Sequence, residues 1–330
     1  MLRSQMSGSR EPLWWRAARG PCRVKHATSH RGPKSCGSIS NMTIALLIKV
    51  NDGIVLASDS ATTLTMRLPD GSDAVGNIYN NANKVFNLHK GLPVGGMTWG
   101  LGNIGPASIA TLTKDLRRRF QGDDHAHPDW TVADGDYEVR ALAEQSRQFL
   151  YDGRYQHIES AAQAAGETPP VLGFLVAGYS SADDVPKCYM MHLGAAGVPE
   201  LEEVVPEESG AAWWGQPEAI ARILTGLSLA VPDALLNLDI GLDPAQSLLI
   251  NDNLKAQLNP QMVPAAMPIQ DAIDLAEFLV HATIQFVRFS PGSPTVGGPI
   301  EIATITKHEG FRWVRRKHFF ESRLNPTNGG

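Results

Sequence analysis

The chain has 330 residues, of which 43% are hydrophobic and 19% are charged, a composition typical of globular proteins rather than disordered or fibrous ones. No apolar run reaches the roughly 18 residues that cross a bilayer, which argues against a membrane protein. The net charge of −5 hides an asymmetry, because residues 1–41 hold eight Lys/Arg and one acidic residue, and the rest holds 21 Lys/Arg and 33 Asp/Glu. A body this acidic argues against nucleic-acid binding.

The basic leader, residues 1–42, is rich in Arg and Ser and shows no hydrophobic periodicity. It lacks the apolar core of a secretory signal. Three interpretations stay open: a removable propeptide, a transit-like segment, or upstream sequence wrongly joined to a true start at Met42. All three predict disorder before residue 43.

The Cys and His residues indicate neither disulfides nor a metal site. Two of the three Cys lie in the leader, which favours a reducing, cytoplasmic compartment. The ten His residues show no H-E-x-x-H spacing, and the chain has no C-x-x-C pair. No G-x-S-x-G nucleophile elbow is present either. The sequence therefore predicts no metal and no cofactor.

The first predicted elements form a β-hairpin, in which apolar, β-branched residues 43–50 and 54–59 flank an Asn-Asp-Gly turn. Residues 64–82 are rich in turn formers and predict a loop. Short strands are predicted at 84–88 and 92–99. Two helices follow, over 104–120 with a basic C-terminal turn and over 136–151 with one apolar face.

The second half of the chain predicts further strands and helices in alternating blocks. Strands are expected at 171–178, 188–193 and near 201–205, and Pro217 opens a helix. Residues 226–266 are Pro-rich with weak helical patterning. A long helix fits 269–289, and strands fit 300–306 and 311–315. This order predicts an α+β fold with two packed antiparallel sheets and a helix pair on each outer face, a four-layer αββα sandwich.

A glycine cluster, Gly100 through Gly102 to Gly105, matches the G-x-G-x-x-G pattern of dinucleotide-binding turns. That fingerprint also requires a second parallel strand ending in an acidic residue about 20 residues later. The chain instead continues into the turn-like stretch GDDHAHPDW. A nucleotide-binding protein is therefore the weaker hypothesis, and a tight strand-to-helix turn is the simpler interpretation.

Thr43, Asp59 and Lys84 are individually ordinary but together fit one chemistry. If Thr43 is the first residue, its hydroxyl and its free α-amine belong to one residue. An α-amine has a pKa near 8, so it can act as general base for that hydroxyl. A neighbouring ammonium lowers the pKa of the amine further, and a carboxylate holds that ammonium in place. Lys84 and Asp59 supply these two groups.

The sequence resembles the proteasome β-subunit family of N-terminal nucleophile hydrolases, including its bacterial HslV- and Anbu-type members. The similarity begins at Thr43-Ile44-Ala45, continues through DGIVLASDSATT, NKVFNL and WGLGNIG, and reaches CYMMHLGAAG and GGPIEIATI. It covers residues 43–306 of a 43–330 domain, with insertions near 64–82 and 226–266. The resemblance implies Thr43 as nucleophile, Asp59 and Lys84 as its partners, the Gly100 N–H as oxyanion donor, and Thr63 as a substrate-binding residue.

Two stretches depart from the proteolytic members of that family. Trp213-Trp214-Gly215-Gln216 replaces a Gly-Ser-Gly turn. Before the late Gly-Gly, where those members carry an Asp and a Ser, this chain has no Asp, and Ser290 or Ser293 is the available substitute. These departures keep a second hypothesis open, a non-catalytic structural subunit.

The expected function is a threonine-type peptidase or amidase, with cleavage between Met42 and Thr43 freeing the nucleophile. The expected partners are a peptide or amide substrate and further copies of the chain in a ring or helical stack. An ATPase partner stays open. No nucleic acid and no membrane are expected as partners.

Overall fold

The computed structural model describes residues 43–67, 73–195 and 197–317. The predicted leader, residues 1–42, lies outside this part of the chain. The described residues form a mixed α/β structure in which antiparallel strands dominate, with two five-stranded and two two-stranded sheets.

The first five-stranded sheet has the order β12-β1-β2-β13-β14. Its strands are β1 (Ile44–Val50), β2 (Gly53–Ser58), β12 (Gly210–Gly215), β13 (Glu301–Thr306) and β14 (Gly310–Arg315). The predicted β1–β2 hairpin is confirmed, with Val50 opposite Gly53 and Ala45 opposite Ser58. Every residue of both strands is buried, which fits their uninterrupted apolar sequence.

The second five-stranded sheet has the order β11-β10-β9-β6-β5. Its strands are β5 (Val85–Asn87), β6 (Val94–Gly100), β9 (Leu172–Gly178), β10 (Lys187–Leu193) and β11 (Glu202–Glu203). Strands β6 and β9 at its centre are antiparallel, with Val94 opposite Gly178 and Gly100 opposite Leu172. Strand β6 also contacts β1 and β12 of the first sheet, so the ends of strands from both sheets meet at one place.

The helices lie in two blocks along the chain, one before Leu172 and one after Gly215. They are α1 (Ile109–Phe120), α2 (Val139–Arg147), a π-helical segment (Gln148–Tyr155), α3 (Gln156–Ala164), α4 (Glu218–Thr225), α5 (Val231–Leu236), α6 (Pro244–Leu258) and α7 (Ile269–Phe289), with a 3-10 turn at Pro128–Trp130. Helix α7 packs on β1 and β2, and α2 packs on β9 and β10. Each contact buries its own apolar cluster, so each five-stranded sheet has a separate core.

The predicted four-layer αββα sandwich is wrong. The described strands form four antiparallel sheets rather than two, because β3 (Thr62–Arg67) with β4 (Asp73–Tyr79), and β7 (Asn103–Ile104) with β8 (Ala107–Ser108), are separate two-stranded sheets. The described helices also exceed the two pairs that the prediction contained. The architecture is instead a mixed α/β fold with several antiparallel sheets.

Three local predictions also need correction. The loop expected over 64–82 contains the β3–β4 hairpin, whose strands carry enough β-branched residues to pair despite the turn formers around them. The helix expected from residue 104 begins at Ile109, because Ser108 caps it by accepting a hydrogen bond from the Thr111 N–H. Strand β12 was not predicted, since GAAWWG lacks an alternating pattern.

Within the residues that the structure describes, no helix has the length and apolar character needed to cross a bilayer.

Candidate active site

Thr43 lies immediately before β1, at the edge shared with β12. The Gln216 N–H donates to the Thr43 carbonyl at 2.7 Å, and the Ser58 hydroxyl donates to the Ile44 carbonyl at 2.9 Å. Gly215, which pairs with Ile44, has a φ of +95°, and a Cβ there would lie 2.0 Å from the Thr43 carbonyl oxygen. Only a residue without a side chain therefore lets β12 approach Thr43 this closely.

Asp59 reaches Thr43 because it follows β2, the antiparallel partner of β1. Its carboxylate is fully buried. Oδ1 accepts the Thr43 hydroxyl at 2.6 Å and the Ile44 N–H at 3.0 Å, and Oδ2 accepts the N–H groups of Ala61 and Gly297 at 3.0 Å each. A carboxylate is tolerated in such a dry site only when its oxygens are fully hydrogen-bonded.

Lys84 enters the same site from the second sheet, at the residue before β5. Its Nζ donates to Asp59 Oδ1 at 2.6 Å and also to the Thr43 hydroxyl oxygen. The Lys84 carbonyl accepts the Thr98 N–H of β6 at 2.9 Å, which fixes the start of β5. The three residues thus form a closed triangle of polar contacts, with Thr43 3%, Asp59 0% and Lys84 7% exposed.

Burial lowers the pKa of Lys84 below its usual 10.5, and the charge of Asp59, its hydrogen bond and the charge of Glu301 oppose that shift. Desolvation disfavours the charged ammonium, whereas a nearby carboxylate favours it. The Lys84 ammonium therefore gives up its proton more readily than a free lysine does. A perturbed, buried cation beside a hydroxyl is a common feature of catalytic sites.

Sequence reasoning missed a second buried ion pair behind Lys84. Glu301 at the start of β13 accepts the Lys84 backbone N–H at 3.4 Å and lies 3.4 Å from Lys317 Nζ. Lys317 also donates to the Ser60 hydroxyl at 2.6 Å, which donates to the Pro299 carbonyl at 2.6 Å. An acidic residue heading the apolar stretch EIATIT was the available signal for Glu301, but no pattern marked Lys317.

In the described residues, Gly100 and Thr63 make no hydrogen bond to Thr43, Asp59 or Lys84. Gly100 ends β6 with a φ of +84°, and a Cβ there would lie 2.4 Å from the Val171 carbonyl oxygen. Thr63 lies on β3, and its hydroxyl oxygen is buried with no described hydrogen-bond partner. A buried hydroxyl without a partner is unusual and needs a functional or structural explanation.

Ser290 and Ser293 are not brought to the triangle by any described hydrogen bond. The Ser290 hydroxyl donates to the Phe286 carbonyl at 2.7 Å, so it ends helix α7. Ser293 is exposed, and its carbonyl accepts the Thr295 N–H at 2.8 Å. The segment instead contributes a backbone group, the Gly297 N–H, to Asp59.

Trp214, one of the residues that departs from the proteolytic pattern, stacks on Trp99. The two ring centroids are 4.4 Å apart and the planes differ by 13°. Trp99 belongs to β6 and Trp214 to β12, so the stack joins the two five-stranded sheets next to Gly215.

The glycine cluster does not have the geometry of a dinucleotide-binding turn. The β7–β8 hairpin lies between Gly100 and the first residue of helix α1, Ile109. The strand-to-helix turn that would present backbone N–H groups to a pyrophosphate is thus interrupted. In the described part of the chain, no group of three or more His, Cys, Asp or Glu residues is placed to hold a metal ion.

No protein-family model matches this sequence, and no curated protein is detectably similar to it. A hydroxyl held between a lysine ammonium and a buried carboxylate is the arrangement of an activated nucleophile.

Proposed function

We propose that the protein is a threonine-type peptidase or amidase of the proteasome-like class, acting through Thr43 as a free N-terminal residue. The observation that carries the proposal is the triangle of Thr43, Asp59 and Lys84, in which each polar side chain contacts the other two. The triangle is almost completely buried, so its charges interact in a medium of low dielectric constant.

The first step is attack of the Thr43 hydroxyl on the carbonyl carbon of a peptide or amide. The hydroxyl proton passes to the α-amine of Thr43, directly or through one water molecule. The Lys84 ammonium lowers the pKa of that amine, so that it is neutral and basic near pH 7. Asp59 holds Lys84 in place, and the N–H groups of Ile44, Ala61 and Gly297 hold Asp59.

The attack creates a negatively charged oxygen that needs a hydrogen-bond donor. We assign this role to the backbone N–H of Gly100, which ends the strand whose Thr98 binds the Lys84 carbonyl. We assign Thr63 to binding of the substrate because the family resemblance implies that role. In the described residues, its buried hydroxyl has no hydrogen-bond partner.

Collapse of the tetrahedral intermediate breaks the C–N bond, and the protonated α-amine gives its proton to the leaving nitrogen. Water then attacks the Thr43 ester, with the same amine as base, and releases the acid and the free hydroxyl. The cycle consumes one water and needs no cofactor. We place the protein in the cytoplasm, where a free buried thiol such as Cys188 is ordinary. We also propose that it forms a homo-oligomer.

The decisive experiment uses a peptide β-lactone. This reagent acylates the Thr43 hydroxyl and forms no bond to the α-amine, so the amine can affect labelling only by acting as a base. One chain begins at Met42, so that removal of the Met frees Thr43, and the other carries an uncleavable extension before Thr43. We expect mass spectrometry to locate the adduct on Thr43 of the trimmed chain alone. An amide nitrogen cannot accept the proton, and general-base assistance is worth about 10²–10⁴-fold.

The control is Thr43→Val, which keeps the shape of the side chain and removes the hydroxyl, and which we expect to stay unlabelled. Equal labelling of both wild-type chains would rule out the α-amine as base. Labelling of neither chain would contradict the peptidase proposal and favour the second function.

The second candidate function is a non-catalytic structural subunit. The observation that favours it is the Trp99–Trp214 stack, which places a large ring in the stretch where the proteolytic members of the resembling family carry a Gly-Ser-Gly turn. A subunit of this kind would assemble with further copies of the chain and leave Thr43 unreactive. Assembly of the trimmed chain into an oligomer, without β-lactone labelling of Thr43, would identify a structural subunit.

A further inference from the structure

A cleft on the outer side of β5 carries three cations that the proposed reaction does not use. Helix α1 and the end of β14 form its walls, with Lys114, Arg117 and Arg316. The lining also includes Asn83, Glu301, Trp313 and the residues of β5. Its volume is about 50 Å³. Since one water needs about 10–15 Å³ by this measure, the cleft holds about four waters or one compact polyatomic ion.

Arg117 is set apart from the other half-buried arginines by its lack of a partner. Arg119 pairs with Asp124 at 3.1 Å, Arg147 with Glu144 at 2.7 Å, and Arg154 donates to the Phe149 carbonyl at 2.7 Å. In the described residues, the Arg117 guanidinium makes no hydrogen bond and no ion pair. A guanidinium removed from water without an acceptor costs free energy, so this position favours an anion.

The neighbours of Arg117 add positive charge. Lys114 lies three residues earlier on the same face of α1. Burial lowers the pKa of Arg117, and charge repulsion from the nearby Arg316 lowers it further. The Arg316 guanidinium lies 4.8 Å from the centre of the Trp313 ring, which holds it at the wall of the cleft. Three converging cations are unexpected in a body with net negative charge.

The acidic residue lining the cleft, Glu301, neutralises these cations only in part. It is 1% exposed, accepts the Lys84 N–H and pairs with Lys317. The charge of Arg316 also lowers the pKa of Glu301, but less than the charge of Lys317 does. One carboxylate shared among Lys317 and the three cations of the cleft leaves positive charge in excess.

We propose that this cleft is a binding site for a phosphate-type oxyanion, held by Arg117 and Arg316 with Lys114 at its mouth. Two guanidinium groups present paired N–H donors that match the oxygen spacing of a phosphoryl group, and the lysine adds a point charge. The ion comes either from inorganic phosphate or from the phosphoryl group of a phosphomonoester. This site goes beyond the proposed peptidase function and does not depend on it.

The test measures thermal unfolding of the full chain with increasing inorganic phosphate, against sodium chloride at equal ionic strength. We expect a saturable rise in Tm of about 2–4 °C at ten times the dissociation constant. Arg117→Gln and Arg316→Gln should each abolish the rise. Arg118→Gln is the matched control, since Arg118 follows on the same helix, is exposed and lies outside the cleft.

A second arm repeats the titration with phenyl phosphate to identify the source of the ion. Stronger stabilisation by phenyl phosphate would assign the site to a phosphomonoester, and stronger stabilisation by phosphate would assign it to the free ion. The unliganded Tm of Arg117→Gln should equal or exceed that of the wild type, because the substitution relieves repulsion with Arg316. A phosphate effect no larger than that of chloride, or one retained in Arg117→Gln, would overturn the proposal.

Discussion

The backbone N–H of Lys84 donates to a carboxylate oxygen of Glu301 at 3.4 Å, although 217 residues separate them in sequence. Glu301 in turn pairs with Lys317, so the buried charges of Asp59, Lys84, Glu301 and Lys317 alternate in sign. Alternation makes each buried charge tolerable, because every carboxylate faces an ammonium. It also means that a change at the far end of the series alters the protonation of Lys84.

Replacing Lys84 by Met tests whether its ammonium is needed for acylation. We expect the rate of Thr43 acylation by a β-lactone to fall at least about 10²-fold, because the cation that lowers the pKa of the α-amine is lost. The fold should survive, since Asp59 keeps four of its five donors. Circular dichroism checks that the variant is folded, and mass spectrometry measures the rate of Thr43 acylation.

The control for Lys84 is Lys90→Met, which removes an exposed cation close by in sequence. It should leave the acylation rate unchanged. Wild-type acylation by the Lys84→Met variant would show that the α-amine needs no neighbouring cation.

The pH dependence of acylation should be bell-shaped. The acylation rate rises with pH as the α-amine of Thr43 loses its proton, and this acid limb lies below about pH 8, the ordinary pKa of an α-amine. The rate falls again at higher pH as the Lys84 ammonium loses its proton. Because burial lowers the pKa of Lys84, the alkaline limb lies below pH 10.5. Glu301 raises that pKa, so Glu301→Gln should move the alkaline limb to lower pH and leave the acid limb in place.

Glu309→Gln is the matched control for the pH profile, because Glu309 is an exposed acid at the turn between β13 and β14. The alkaline limb of the Glu309→Gln profile should coincide with that of the wild type. An identical shift in both variants would mean that general surface charge, rather than the Glu301–Lys84 contact, sets the limb.

The Glu301–Lys317 pair gives a prediction about stability. Burial raises the pKa of Glu301 above 4.5, and Lys317 is the main charge opposing that rise. Lys317→Met should therefore raise the pKa further and cost about 2–4 kcal/mol of unfolding free energy at pH 7. The loss should shrink as the pH falls toward 4.5, because native Glu301 then takes up a proton that the unfolded chain does not yet bind.

Adding Glu301→Gln to Lys317→Met should restore most of the lost stability at pH 7. Glu301→Gln alone should destabilise less than Lys317→Met does, because Lys317 keeps its hydrogen bonds to the Ser60 hydroxyl and the Ala82 carbonyl. Arg315→Met is the control, since it breaks an exposed pair with Glu277 and should cost less than about 1 kcal/mol. Urea unfolding measures all four variants. A pH-independent loss in Lys317→Met would assign the loss to packing of the lysine stem instead.

How much of the site could be predicted depended on how far each contact reaches along the chain. The Asn-Asp-Gly turn fixes the β1–β2 register, so the ends of the hairpin, at Thr43 and Asp59, had to lie near each other. Lys84 comes from the other five-stranded sheet, and no local pattern predicts which strand ends meet between sheets. The chemistry of an N-terminal Thr and the resemblance indicated Lys84. An acidic residue before an apolar stretch was the one signal for Glu301, and no pattern marked Lys317.

The fold was predicted element by element better than as a whole. Helix α7 was expected over 269–289 and is observed at Ile269–Phe289, because its apolar period is unbroken. The helix expected over 136–151 continues through the π-helical segment Gln148–Tyr155 into α3, which ends at Ala164. A change from i+4 to i+5 hydrogen bonding leaves no mark in residue type. The small sheets β3–β4 and β7–β8 were hidden by turn-forming residues.

Gly215→Ala gives the last prediction, which concerns the close approach of β12 to Thr43. Gly215 and Gly135 both have φ near +90°, but a Cβ at 215 would lie 2.0 Å from the Thr43 carbonyl oxygen, whereas a Cβ at 135 meets nothing within 4 Å. Gly135→Ala is therefore the matched control, and it should cost only the backbone strain of about 1–2 kcal/mol. Gly215→Ala should cost more and should also displace Thr43 from Asp59 and Lys84, so that β-lactone labelling is lost in the folded protein. Chemical unfolding and mass spectrometry measure the two effects, and equal stability with undiminished labelling in both variants would show that β12 does not position Thr43.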